Sequence, residues 1–129
     1  MLLIAADGSI LLQQRDDDVP PAGVGRWTPP GGGRESGEEP RETALREFEE
    51  ETGVVLQRLR FFESVTPDDV PELLPRKLHI FFADDQVPRD QIVVNEGLDF
   101  QYHHPRTFAE LKMNPGTRRL LDRFLATDF

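Results

Sequence analysis

Apolar residues along this chain fall into short alternating runs, broken in two places by stretches with helical spacing. Residues 2–6 and 10–15 read as strands around Asp7-Gly8, a dipeptide suited to a tight hairpin turn. Residues 16–24 are polar, contain Pro20-Pro21 and Gly23, and are expected to form a loop. Over residues 40–52, Ala44, Leu45 and Phe48 recur at helical intervals, Pro40 suits a first helical turn, and Gly53 suits the left-handed residue after the last. A long strand is expected over 54–65, where Leu59, Phe61 and Val65 alternate against Arg58, Arg60 and Ser64. A loop over 66–75 leads to a strand at 77–83, whose Leu78, Ile80, Phe81 and Phe82 predict burial on both faces. After a loop at 84–90, residues 92–94 are short and β-branched, and 99–103 read as a final strand. A short helix is expected at 105–112 and a longer one at 115–126, with Leu120, Leu121, Phe124 and Leu125 as its apolar stripe. Strands, helix, strands, helix is the order of an α/β or α+β sandwich, with a mixed sheet between helices.

Composition narrows the picture. A chain of 129 residues suits one domain, residues 1–129, around one core. No apolar run approaches the roughly 20 residues of a membrane span, and no basic segment precedes Leu2-Leu3-Ile4 as in a secretory signal. The chain opens almost inside its first strand, which leaves its true start open. Having no cysteine excludes disulfides and thiolate metal sites, and a cytoplasmic location is expected. Lys and Arg number 15 and Asp and Glu 24, a net charge of −9. That balance argues against a surface for nucleic acid polymers. It would also repel a phosphate-bearing ligand, unless a bound cation inverts the local field.

The helix at 40–52 carries the chemistry. Glu47, Glu50 and Glu51 stand at i, i+3 and i+4 and share one helix face. Folding asks for no such cluster of like charge, but hard divalent cations prefer carboxylate oxygens. Ahead of the helix, Gly31, Gly32 and Gly33 let the backbone turn and approach a ligand closely. Written out, residues 32–54 run Gly32, five residues, Glu38, seven residues, then Arg46-Glu47-Phe48-x-Glu50-Glu51-x-Gly53-Val54. This stretch resembles the Nudix box, G-x5-E-x7-R-E-U-x-E-E-x-G-U with U a bulky apolar residue. It matches each fixed position, and the aromatic Phe48 at a U site is the mildest departure.

The resemblance implies an α-β-α sandwich and hydrolysis of a nucleoside diphosphate linked to another group, helped by Mg²⁺ or Mn²⁺. It implies Glu47, Glu50 and Glu51 as metal ligands, with the Gly31 carbonyl as a further one. Arg46 would hold the carboxylates in place by a charge-assisted pair. Glu38 is expected to brace loop and helix. The general base is either a box glutamate or Glu96, which follows Ile92-Val93-Val94 where a strand end is expected; Asp84, Asp85 and Asp99 compete for that role. Arg15, Trp27 and Tyr102 are candidate substrate contacts. For Trp27 a core position at the sheet edge is favoured over stacking on a base. His79, His103 and His104 are read as structural more than phosphate-binding. The run Leu11-Leu12-Gln13-Gln14-Arg15-Asp16 and the approach through Trp27 look like those of small housecleaning Nudix proteins. The expected substrate is therefore a nucleoside triphosphate, oxidised ones included, cut to monophosphate and pyrophosphate by a monomer or homodimer. ADP-ribose or a nucleotide sugar is the second choice. A non-catalytic Nudix-like binding module, and an isomerase of isoprenoid diphosphates on the same fold, are the alternatives of other kinds.

Overall fold

Period-two alternation along the strands sorts the apolar side chains into two cores. The computed structural model describes residues 1–66 and 77–127. In chain order its elements are β1 (Leu2–Leu3), β2 (Ile10–Gln14), β3 (Trp27–Thr28), α1 (Pro40–Thr52), β4 (Arg60–Val65), β5 (Leu78–Ala83), β6 (Asp99–His103) and α2 (Pro115–Leu125). Short 3-10 turns lie at Arg89–Gln91 and Pro105–Glu110. One core gathers Leu2, Ile10, Leu12, Ile80 and Phe82 against Leu121 and Phe124 of α2. The other gathers the residues between them, Leu3, Leu11, Phe81 and Ala83, against Phe48 of α1. Neighbouring residues of a strand point to opposite faces, so α1 and α2 cover opposite sides of the strands. This is the expected α-β-α sandwich, and β5 is buried on both faces as its composition predicts.

The strands form two sheets, ordered β1-β5-β4 and β3-β2-β6. β1 runs parallel to β5, whereas β4 pairs with β5, and β2 with both β3 and β6, antiparallel. The predicted turn forms: Gly8 takes φ 88°, and the Asp7 carboxylate accepts from the Ser9 N–H at 2.9 Å and the Ser9 hydroxyl at 3.0 Å. After the Ile4–Ile10 bridge its two arms part into different sheets, which shortens the first strand to Leu2–Leu3.

Three other expectations change. The strand expected over 54–65 is only Arg60–Val65. Before it, the N–H groups of Gln57 and Arg58 donate to the Asp85 carboxylate at 2.7 and 3.2 Å, rather than to a neighbouring strand. A register shift between Phe61 and Glu63 breaks the alternation, leaving Phe61 52% exposed. Residues 92–94 form no strand: the Val93 N–H donates to Thr52 O at 2.9 Å, at the C-terminal end of α1. The helix expected at 105–112 is the 3-10 turn Pro105–Glu110. The loop expected at 66–75 lies, beyond Thr66, outside the described residues. No helix among the described residues is long and apolar enough to cross a membrane.

Candidate functional site

Helix α1 is set at both ends as its sequence predicts. Pro40 occupies the first turn, and Gly53 takes φ 76°, donating its N–H to Glu49 O at 2.7 Å. Phe48 anchors the apolar face in the second core, and Glu47, one residue before it, lines a cleft, while Glu51 stays buried.

Arg46 ties the glycine loop to the helix. Its guanidinium donates to both oxygens of Glu38 at 2.6 and 2.9 Å, to Gly33 O at 3.0 Å, to Glu47 at 2.9 Å and to Glu50 at 3.2 Å. Glu38 also accepts from the Glu35 N–H at 2.7 Å and the Thr43 hydroxyl at 3.1 Å. The Arg46 bonds, followed by the Glu35 N–H, hold the Glu38 carboxyl down at about 2. With its oxygens so engaged, Glu38 braces loop and helix. A β-carbon on Gly32 would lie 2.4 Å from the Glu47 carboxylate, which would have to shift to admit it.

Glu51 is the exception among the carboxylates. It is 1% exposed, and neither of its oxygens has a hydrogen-bond partner. Burial first, then the charges of Glu96 and Glu47, push its carboxyl up to about 7. A buried carboxylate without donors is costly. A hard cation would satisfy this one, so the oxygen donors present suit Mg²⁺ or Mn²⁺. Among the described residues no three carboxylate or imidazole groups stand together as a finished cation site, and Glu47 and Glu50 are turned onto Arg46.

Glu96 approaches from a loop pinned on two sides. Asn95 donates its N–H to Glu51 O and its side-chain amide to Glu50 O, both at 3.1 Å, capping the end of α1. On the β2 side, the Leu98 N–H donates to Gln14 O at 2.8 Å and Gln13 Nε2 to Glu96 O at 3.0 Å. Arg15 reaches back to Gln13 Oε1 at 3.0 Å and pairs with Asp17 at 3.0 Å. Burial opposes the Arg15 charge, but the Asp17 bond and the charges of Glu96 and Glu51 outweigh it and raise its pKa.

A cleft of about 910 Å³ opens beside this network, without Glu50 or Glu51 among its lining residues. Glu47, Glu96, Arg15 and the loop Gly31–Gly33 give it a charged part; Leu78, Ile80, Leu120 and Leu121 give it an apolar part. Asn114, Thr117 and His79 also line it. Neither Trp27 nor Tyr102 is among the lining residues. Trp27 packs against the α2-side core with its ring edge-on to His103 at 4.4 Å, and Tyr102 donates its hydroxyl to Val87 O at 2.7 Å. Asp99 pairs with Arg89 at 3.2 Å, Asp84 stands 4.0 Å from Arg60, and Asp85 holds the backbone at Gln57 and Arg58. His79 meets Ser64 at 2.7 Å, and His104 Nδ1 accepts from the Arg106 N–H at 3.2 Å.

Asn95 and Asp17 join this network without having been singled out by motif or spacing, and Gln13 had been named only within the run Leu11–Asp16, with no role of its own. Gln13 had a readable signal. It continues the face of Leu11 on β2, so it is a polar side chain in a row of buried apolar ones.

Comparison with known proteins matches a family model described as NUDIX domain to residues 1–124. Over 80 residues the chain is 45% identical to an RNA pyrophosphohydrolase of Cereibacter sphaeroides, a match covering 59% of this chain and 47% of that protein. The chain thus spans about half the length of that relative. Among solved structures, a MutT NUDIX hydrolase from Burkholderia pseudomallei superposes with a TM-score of 0.74 at 24% identity, covering 93% of this chain and 91% of that one. A C. elegans Ap4A hydrolase binary complex gives 0.72 at 21% identity, covering 97% and 92%.

Proposed function

The chain belongs to the Nudix family, and from that premise we propose that residues 1–129 form one hydrolase domain that cleaves the pyrophosphate link of a nucleotide. The observation that carries this reading is the partnerless Glu51 carboxylate, buried beside the charges of Glu47 and Glu96, which themselves line a cleft large enough for a nucleotide. Its volume falls in the range of ligand clefts, roughly 300–1,000 Å³.

Glu47, Glu50 and Glu51, with the Gly31 carbonyl, would hold a divalent cation. When bound, Mg²⁺ or Mn²⁺ neutralises charge on the diphosphate and makes water a better nucleophile. Arg46 keeps Glu47 and Glu50 from collapsing onto other partners, and its hold on Glu47 through one oxygen would leave the second for a cation. Arg15 faces the cleft with its charge held beside Glu51 and Glu96, and supplies a cationic contact for a phosphoryl oxygen. Glu96 accepts the proton of the attacking water, from a loop fixed to both α1 and β2. The apolar part of the cleft takes the nucleoside, with Asn114 and Thr117 as polar groups beside it.

The substrate favoured is a nucleoside triphosphate, oxidised ones included, cut to monophosphate and pyrophosphate in the cytoplasm. A second reading, a triphosphorylated RNA end, is favoured by the 45% identity to an RNA pyrophosphohydrolase. Purified protein is expected to turn over at least one nucleoside triphosphate, ADP-ribose or nucleotide sugar with Mg²⁺ or Mn²⁺, and none in excess chelator. Products identified by mass from a substrate panel decide among them. Turnover that survives chelation, or none on any pyrophosphate, overturns the reading; the latter leaves a binding module.

A further inference from the structure

One buried side chain touches both of the groups that the proposed chemistry sets against each other. Gln13 is 1% exposed, at the end of the buried face of β2, yet it is an amide. Both ends of that amide are used: Oε1 accepts from Arg15 Nη1 and Nε2 donates to Glu96 O, each at 3.0 Å. An apolar residue would fill this space at less cost, because a buried amide stabilises only when its hydrogen bonds are made.

The neighbouring packing limits the freedom of the same loop. Gly97 takes φ 79°, and a β-carbon on it would lie 2.6 Å from Gln14 O and 3.1 Å from Gln13 Nε2. The loop therefore rests directly on β2 at Gln13 and Gln14. Its other end is held by Asn95 on the last carbonyls of α1. Arg15 is in turn held from outside by Asp17, whose carboxylate also pairs with Arg26 at 3.1 Å. Asp17, Arg15, Gln13 and the Glu96 carbonyl form an unbroken chain of hydrogen bonds from the loop after β2 to the loop before β6.

We propose that Gln13 is a positioning residue: its amide holds Arg15 and the loop bearing Glu96 in one frame, so that the cation for the phosphate and the acceptor for the proton keep a fixed separation. This rests on the roles given above to Arg15 and Glu96. Gln13 stands in the cleft wall but is 1% exposed, with both ends of its amide already engaged. It acts through one side chain and one backbone carbonyl, and its two hydrogen bonds can be separated by substitution.

Gln13→Leu removes both bonds at similar volume. Gln13→Glu keeps an acceptor for Arg15 but, ionised beside that guanidinium, cannot donate to Glu96 O. Hydrogen exchange in metal-free protein reads the loop directly. The Leu98 amide is expected to exchange about tenfold faster in both variants, the scale of one lost hydrogen bond, with α2 amides unchanged. Inorganic pyrophosphate binding, followed by calorimetry without metal, reads Arg15: it weakens several-fold in Gln13→Leu, where no charge has been added. In turnover, Gln13→Leu lowers kcat and raises KM. Should Gln13→Leu fail to fold, Leu98 exchange in Gln13→Glu still reads the hold on the loop. Unchanged Leu98 exchange in a folded variant, or pyrophosphate affinity equal in wild type and Gln13→Leu, overturns the proposal. If wild-type protein hydrolyses nothing, the hydrolase reading falls alone, and exchange and pyrophosphate binding still decide the place of Gln13.

Discussion

Glu51 keeps its carboxyl where no donor reaches it, and that placement fixes a pH dependence. Its folded pKa of about 7 lies above its ordinary value of 4.5, chiefly because burial disfavours the charged form. Below that ordinary value both folded and unfolded chains carry the proton, and Glu51 costs nothing. As pH rises toward the folded value the unfolded chain ionises first, so the native state loses stability. Above it the loss levels off, on the order of 2 kcal/mol after allowance for residual solvent screening. Metal-free wild type is therefore expected to lose stability relative to Glu51→Gln between about pH 4.5 and 8, by that amount, in denaturant titrations at each pH. Adding Mg²⁺ should stabilise wild type far more than the variant, while turnover of the variant falls roughly 10²-fold or more. Parallel stability curves without metal would mean that Glu51 is solvated and its orphaned oxygens carry no cost.

At the scale of elements, the loop from Asn95 to Leu98 does more than its length suggests, since it joins the end of α1 to β2. Gly97→Ala adds a β-carbon at φ 79°, within 2.6 Å of the Gln14 carbonyl, and neither backbone can give way cheaply. The expected result is a loss of about 1–3 kcal/mol, read by thermal unfolding, with kcat falling more than KM because Glu96 moves. Equal kcat in that variant would remove Glu96 from the chemistry. Sequence legibility followed the same division. Helix α1 could be read because Pro40, Phe48 and Gly53 each act locally, and β5 because Ile80-Phe81-Phe82-Ala83 is apolar at four successive positions, and so on both faces. The stretch 54–65 could not. Its alternation imitates a strand, but the Asp85 side chain takes the backbone N–H groups of Gln57 and Arg58, and the register shift at Phe61 moves the face. Ile92-Val93-Val94 misleads likewise, because its backbone is claimed by the end of a helix. The spacing of Glu47, Glu50 and Glu51 could be read as one helix face from the sequence. The hold of Gln13 and Asn95 was not, since it depends on contacts between residues 83 and 45 positions apart.

For the whole molecule, a net charge of −9 bears on which substrate can reach the cleft. The cleft collects local cationic groups, Arg15 and the cation expected at Glu51, but these act over a few ångströms. Beyond a Debye length of roughly 10 Å at 0.1 M salt, an extended polyanion meets the field of the whole surface. A nucleoside triphosphate fits inside the local region, whereas an RNA chain carries phosphates well outside it. Repulsion that is screened by salt has the opposite sign from the attraction of a basic nucleic-acid surface, whose affinity falls as salt rises. Two substrates of equal reactive end, a nucleoside triphosphate and a 5′-triphosphorylated oligonucleotide of roughly ten residues, therefore separate the two readings. At fixed Mg²⁺, kcat/KM for the oligonucleotide is expected to be about tenfold or more below that for the free nucleotide. It should rise between roughly 50 and 200 mM monovalent salt, over which the nucleotide value changes little. A kcat/KM for the oligonucleotide that exceeds that of the nucleotide, and falls with salt, would place a basic track on this acidic protein and make the RNA end the substrate.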